Sequence, residues 1–131
     1  MILLDTNAFL WYLSDQSNFS EKIASVIRKE RQTNRLLVSA ISIWEIGLLV
    51  QKKRLDLGMD YDTWFSQVSK LKSIEIISIN SQIAYNSITL PGDFHSDPAD
   101  RMIVATAITL ECTLITSDHK ILEYQHVKSI W

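Results

Sequence analysis

Residues 97–118, DPADRMIVATAITLECTLITSD, read as a helix, a turn, a strand and an acid. Asp97 is a good helix N-cap, and Pro98 suits the first helical position, where its missing N–H leaves nothing unpaired. Asp100 falls in the first turn, where free N–H groups and the helix dipole favour a carboxylate. Ile103, Val104, Ala107 and Ile108 recur at helical spacing and make one apolar face. Glu111 ends that pattern. Residues 112–116 are apolar and β-branched, the composition of a short buried strand, and Asp118 stands just past its carboxyl end. In open α/β sheets ligands bind at that edge. An acid at a helix start and an acid at a strand end thus share a meeting place.

The same alternation runs outward in both directions. Residues 1–4 form a strand that ends at Asp5, and Thr6 and Asn7 both suit the cap of a helix starting near Ala8. A second helix begins at 18–20, with Ile23, Ala24, Val26 and Ile27 on its apolar side. Residues 36–38 make a strand that leads through 39–42 into a helix over 43–54 carrying Glu45. Asp60 caps a helix with Trp64, Phe65, Val68 and Leu71 turned inward. Residues 74–79 are a strand, Asn80 caps a short helix, and 90–96 is a loop. After Asp118, a short helix spans 120–124 and a last edge strand 127–131. Strands alternating with helices predict an α/β fold with a mainly parallel sheet covered on both faces. Short, right-handed connections place every carboxyl end on one side. Asp5 and Asp118 then lie on that side, and Glu45 and Asp100 sit on helices that leave from it.

The size of the chain, 131 residues, is that of one domain around a single core, 1–131. With 47% hydrophobic and 21% charged residues and only three glycines and two prolines, long disordered linkers are not expected. A net charge of -2 does not advertise nucleic-acid binding, though a local basic patch would serve. The apolar start, MILLDTNAFLWYL, lacks a basic leader and is broken by Asp5, so it reads as strand and helix rather than a signal peptide. No run is long enough to span a bilayer. Cys112 stands alone, which fits a reducing, cytoplasmic setting. His95, His119 and His126 have no zinc-motif spacing and read as surface or loop histidines.

Each acid has an ordinary structural explanation. Asp5 suits a turn, Asp100 a helix dipole and Asp118 a helix cap, and Ser42 with Glu45 spells the S-x-x-E capping box. Together they are harder to explain. Carboxylates drawn to one sheet edge repel by about 4 kcal/mol per close pair at an effective dielectric of 20. A divalent cation removes that penalty, and an all-oxygen site suits Mg²⁺ or Mn²⁺ rather than zinc. Such an ion favours phosphate oxygens as further ligands, lowers the pKa of water and polarises a phosphodiester, so RNA or DNA hydrolysis is the natural reaction. The ligands are then Asp5, Asp100, Asp118 and Glu45, with one of them free to orient the attacking water.

LLDTN at 3–7, SIWEI at 42–46, HSDPADRMIVATA at 95–107 and TSD at 116–118 together resemble the PIN-domain nucleases, and within them the VapC-like toxins of type II toxin–antitoxin systems. The resemblance covers essentially the whole chain, with the motifs in family order. It implies a three-layer α/β/α sandwich, a Mg²⁺- or Mn²⁺-dependent endoribonuclease acting on RNA, a homodimer and a small cognate antitoxin. Position by position, Asp5, Glu45, Asp100 and Asp118 match the family's acidic quartet. Asp97 is an extra acid, a cap or a supporting ligand. Thr6, Asn7 and Ser117 stand beside the acids as candidates to hold their rotamers. Arg101 either contacts RNA phosphate or pairs with Asp97 or Glu111. Lys52, Lys53 and Arg54 are either an RNA-backbone contact or a solvated helix end. The tryptophans belong to core or interface, and the apolar helix over 43–50 has a side left for a second subunit or the antitoxin. Two rivals use the same elements: a phosphotransfer or phosphatase domain, for which Asn7 stands where a second Asp is needed, and a non-catalytic binding module.

Overall fold

The computed structural model describes residues 1–131. Five parallel strands, β1 (Ile2–Leu4), β2 (Leu36–Ser39), β3 (Ile74–Ile77), β4 (Thr113–Ile115) and β5 (Ser129–Ile130), form one sheet in the order β3-β2-β1-β4-β5. Seven helices surround it: α1 (Thr6–Ser14), α2 (Glu21–Glu30), α3 (Ala40–Gln51), α4 (Tyr61–Ser69), α5 (Ser81–Ile88), α6 (Pro98–Thr109) and α7 (His119–Leu122). A short 3-10 turn, Gln16–Asn18, joins α1 to α2.

Alternation along each strand builds two cores. Ile2 and Leu4, Leu36 and Val38, and Ile115 face a core completed by Phe9, Ile23, Ile27, Ile46, Trp64 and Val68. Leu3, Leu37 and Leu114 point the other way and meet Ile83, Ile103, Val104, Ala107 and Ile121. Strands with both faces covered favour apolar runs, which is why β1 reads ILL and β2 reads LLV before Ser39, the cap of α3. The result is the expected three-layer α/β/α sandwich around a parallel sheet. No helix is long and apolar enough to cross a membrane.

Chain order reverses between β1 and β4. From β1 the chain steps outward to β2 and β3, then crosses back to lay β4 on the other side of β1. A crevice opens at such a switch point, at the carboxyl ends of the strands. Asp5 follows β1 directly and continues the ladder, its N–H donating to Ile115 O at 3.1 Å. Asp118 stands three residues beyond β4.

All seven helices start on a side-chain cap: Asp5, Ser20, Ser39, Asp60, Asn80, Asp97 and Asp118. Two of these correct the expectation from residue type. Asp5, rather than Thr6 or Asn7, caps α1, because extended backbone at Asp5 lets its carboxylate reach Ala8 N at 2.8 Å. Ser39 caps α3, which therefore starts at Ala40, so Ser42 and Glu45 form no capping box. Ser42 is instead buried, and Glu45 lies beyond the first turn with its carboxylate free for other work. β3 stops at Ile77, short of Ile79, because Asn80 already turns the chain into α5. The expected 127–131 strand shrinks to two residues.

Candidate active site

Asp5, Glu45, Asp100 and Asp118 come together at the carboxyl edge beside the switch point. Each arrives by a local device. Asp5 and Asp118 are helix caps, their Oδ1 atoms accepting the N–H groups of Ala8 and Lys120 respectively. Asp100 is the third residue of α6, fixed by the cap at Asp97 and by Pro98. Glu45 projects from the second turn of α3.

Their charges interact. Burial pushes the Asp5 carboxyl up; hydrogen bonds from Thr116 and Ala8 pull it down, and Asp118 and Glu45 push it up again. The Asp100 carboxyl is pushed up to about 7 by burial first, then by Asp97, Asp118, Glu45 and Asp5. A carboxylic acid that holds its proton to neutral pH is one whose neighbours want a cation in its place. The four acids offer only oxygen, the set a hard divalent ion takes, and a nitrogen of His95 lies within 4.8 Å of the Asp100 and Asp118 oxygens. The residues present therefore fit such an ion.

Thr116 ties the two strand-end acids together. Its hydroxyl hydrogen-bonds Asp5 and accepts the Asp118 N–H at 3.0 Å, and the side chain is fully buried. This is the role expected of Thr6, Asn7 or Ser117. The Thr6 hydroxyl instead shares a hydrogen bond with that of Ser42 at 2.9 Å. Asn7 is exposed at the rim of an apolar groove, and Ser117 is half-buried in the turn after β4. A hydroxyl at the last residue of a buried apolar strand was the available signal for Thr116.

Asp97 is the α6 cap, its Oδ1 accepting Asp100 N at 3.0 Å. Arg101 pairs with neither Asp97 nor Glu111. Its guanidinium donates to four backbone carbonyls, Ser87, Ile88, Phe94 and His95, and so clamps the loop between α5 and α6. Four of its five N–H groups are thereby taken, which leaves little for RNA phosphate. Glu111, with φ 52, is the left-handed residue that closes α6. Lys53, with φ 55, closes α3 in the same way, and Lys52, Lys53 and Arg54 are all exposed there. Lys52 lies roughly 10 Å of helix rise beyond Glu45, toward the opposite end of the sandwich.

His95 departs from the expectation of a loop histidine without a role. Its Nε2 lies 3.2 Å from Asp100 Oδ2. One ligand atom each from His95, Asp100 and Asp118 falls within 4.8 Å of the others. Its place in HSDPAD, five residues before Asp100, was the signal. His119 and His126 are exposed, as expected.

A cavity of about 530 Å³ runs between α1 and α4, lined by Leu10, Trp11, Leu13, Leu57, Trp64 and Val68 and reaching Asn7, next to Asp5. Trp64 is buried, Trp11 packs on Trp131 and Phe19, and Trp44 on α3 is 52% exposed.

A family profile described as PIN domain matches residues 2–127. Ribonuclease VapC22 of Mycobacterium tuberculosis is 28% identical over 129 residues, which cover 98% of this chain and 95% of that protein. Among solved structures, VapBC2 of Rickettsia felis bound to a promoter DNA fragment superposes with a TM-score of 0.73 at 18% identity, covering 100% of this chain and 99% of the other. FitAcB of Neisseria gonorrhoeae gives a TM-score of 0.70 at 21% identity, covering 100% and 97%.

Proposed function

The chain belongs to the PIN-domain family, and on that premise we propose that it is a Mg²⁺- or Mn²⁺-dependent endoribonuclease, the toxin of a two-protein module held inactive by a cognate antitoxin. The observation that carries this reading is the gathering of Asp5, Glu45, Asp100 and Asp118 at the switch point of a parallel sheet, near enough that burial and their charges hold the Asp100 carboxyl up. Likeness to a protein named as a ribonuclease supports the choice of RNA. Superposition on VapBC assemblies supports a protein partner.

Asp5, Asp100 and Asp118 would hold the ion through their carboxylate oxygens, and Glu45 would hold it or orient the attacking water. A bound divalent ion supplies positive charge against the carboxylates and against the charge that grows on the phosphate oxygens. The water oxygen would bond to phosphorus as one ribose oxygen leaves, the proton lost by the water passing through solvent to the departing oxygen, and Glu45 would hold the water in line. Thr116 keeps Asp5 and Asp118 in register throughout.

The antitoxin lies in the apolar groove between α1 and α4. The groove is lined in part by Asn7, two residues along the chain from Asp5, and a basic side chain on the occupant would reach from there to the acidic pocket. Exposed Trp44, Tyr85 and Ile88 supply the apolar area of a homodimer.

The deciding experiment is digestion of labelled RNA with and without Mg²⁺ or Mn²⁺. Cleavage is expected only with metal, and is expected to vanish in Asp5→Ala and Asp100→Ala proteins that still fold by circular dichroism. Wild-type cleavage by either variant refutes the assignment.

A further inference from the structure

We infer that His95 is a positioning residue for Asp100: it presents Nε2–H to Oδ2, and so turns the other carboxylate oxygen toward the cation. This rests on the metal-site reading above. The bare geometry offers a rival, because the His95, Asp100 and Asp118 ligand atoms are close enough for all three to share an ion. The other side of the ring decides between them.

His95 Nδ1 accepts the backbone N–H of Asp97 at 3.3 Å. A nitrogen that accepts carries the lone pair, so the ring proton sits on Nε2. Ligation through Nε2 would need a lone pair there as well, leaving the ring with no proton at all. Histidines that bind metals through one nitrogen donate N–H from the other. Here the other nitrogen faces a donor. With Nδ1 facing a donor, Nε2 is the nitrogen left to donate toward Asp100, and that contact steers the carboxylate.

The ring cannot easily turn to escape this role. Arg101 Nη1 holds the Phe94 and His95 carbonyls at 2.9 and 3.2 Å. Phe94 packs on the His95 ring at 4.4 Å between centroids and on Tyr124 at 4.9 Å. The Tyr124 hydroxyl donates to Pro91 O, fastening the far end of the same loop. Nε2 is shielded from solvent and has no well-aligned partner; the Asp100 contact is short but bent. Hydrogen bonds at such sites straighten when the site is loaded.

The test is Mn²⁺ affinity, read from the electron paramagnetic resonance of free aquo Mn²⁺, for wild type, His95→Gln, His95→Asn and His95→Leu. Removing an outer-shell partner typically weakens a metal site about 10–100-fold, and that loss is expected for His95→Leu and His95→Asn. His95→Gln, whose amide N–H reaches where Nε2–H was, is expected to keep most of the affinity. Electron spin-echo spectra of bound Mn²⁺ are expected to lack a directly coordinated nitrogen. Wild-type affinity in His95→Leu and His95→Asn overturns the inference, as does equal loss in His95→Gln. A coordinated nitrogen that disappears in His95→Asn overturns it in favour of ligation. Should the leucine variant fail to fold, the asparagine and glutamine pair still separates the two outcomes. Because RNA cleavage is not the readout, a protein that binds Mn²⁺ but cuts no RNA sinks the ribonuclease reading and leaves this one standing; a wild type that binds no Mn²⁺ sinks this one.

Discussion

The Thr6 and Ser42 hydroxyls meet at 2.9 Å in the buried angle between α1 and α3. Ser42 is 0% exposed and Thr6 7%. The bond joins the first turn of the helix capped by Asp5 to the helix that carries Glu45. Removing one partner leaves the other buried and unsatisfied, at about 1–3 kcal/mol. Thr6→Val and Ser42→Ala are each expected to lower stability by that order, and the double variant by clearly less than the sum. Urea titrations of all four proteins measure the coupling. Additive losses would mean that the two hydroxyls do not depend on each other.

Arg101 predicts a loss of stability, not of RNA contact. Its four carbonyl partners span residues 87–95. Arg101→Met is expected to cost about 2–4 kcal/mol in chemical denaturation. Arg101→Lys recovers only part, because a point-like ammonium cannot serve a fork of carbonyls. Among folded variants, the salt dependence of RNA binding is expected to stay that of wild type, whereas loss of one phosphate contact would lower its slope by nearly one.

The pH dependence of the metal-free protein follows from Asp100. Its folded pKa of about 7 lies above the ordinary 3.8. Between those values the folded chain keeps a proton that the unfolded chain gives up. Stability therefore falls as pH rises from about 4 to about 7 and levels off above. Asp5, also raised, adds in the same direction. Melting temperatures of metal-free protein at about pH 5 and pH 8 test this sign. With saturating Mn²⁺ the trend is expected to flatten or reverse, since the ion replaces the proton.

Asp97 separates capping from ligation. As the α6 cap it is expected to be worth about 1 kcal/mol, lost in Asp97→Ala and mostly kept in Asp97→Ser. Its charge is the second cause of the raised Asp100 carboxyl, after burial. Either variant should therefore move the Asp100 titration down, which carboxyl NMR measures. An unmoved Asp100 would show that the two side chains do not interact.

Local signals make much of this fold legible from the chain alone. The caps at Asp60, Asn80 and Asp97 can be read because their causes lie within one helical turn, but only Trp64 and Val68 of the expected inward face of α4 are buried; Phe65 and Leu71 are exposed. The cap at Asp5 is hidden because Thr6 and Asn7 are equally good cap residues by type. Only the backbone angle at Asp5, φ -70 and ψ 177, and its place at the end of a buried strand select it. Ser42 and Glu45 spell a capping box that α3 does not use, since Ser39 starts the helix three residues earlier. His95 shows only a faint local sign, its place five residues before Asp100, because the turn that brings the two together is set by the loop's tertiary contacts.

The sequence by itself determined the alternation of strands and helices, the burial of ILL and LLVS, and the set of acids available at one sheet edge. Those follow from periodicity and from side-chain chemistry within a few residues. Tertiary structure alone decided that β4 pairs with β1 on the side away from β2, and so which edge is a crevice. It also decided that Thr116 joins Asp5 to Asp118, that Arg101 turns to the loop, and that the Asp97 N–H fixes the proton on the His95 ring. Each of these is a choice among partners equally acceptable by type, and only the packing of the two cores brings one of them within reach.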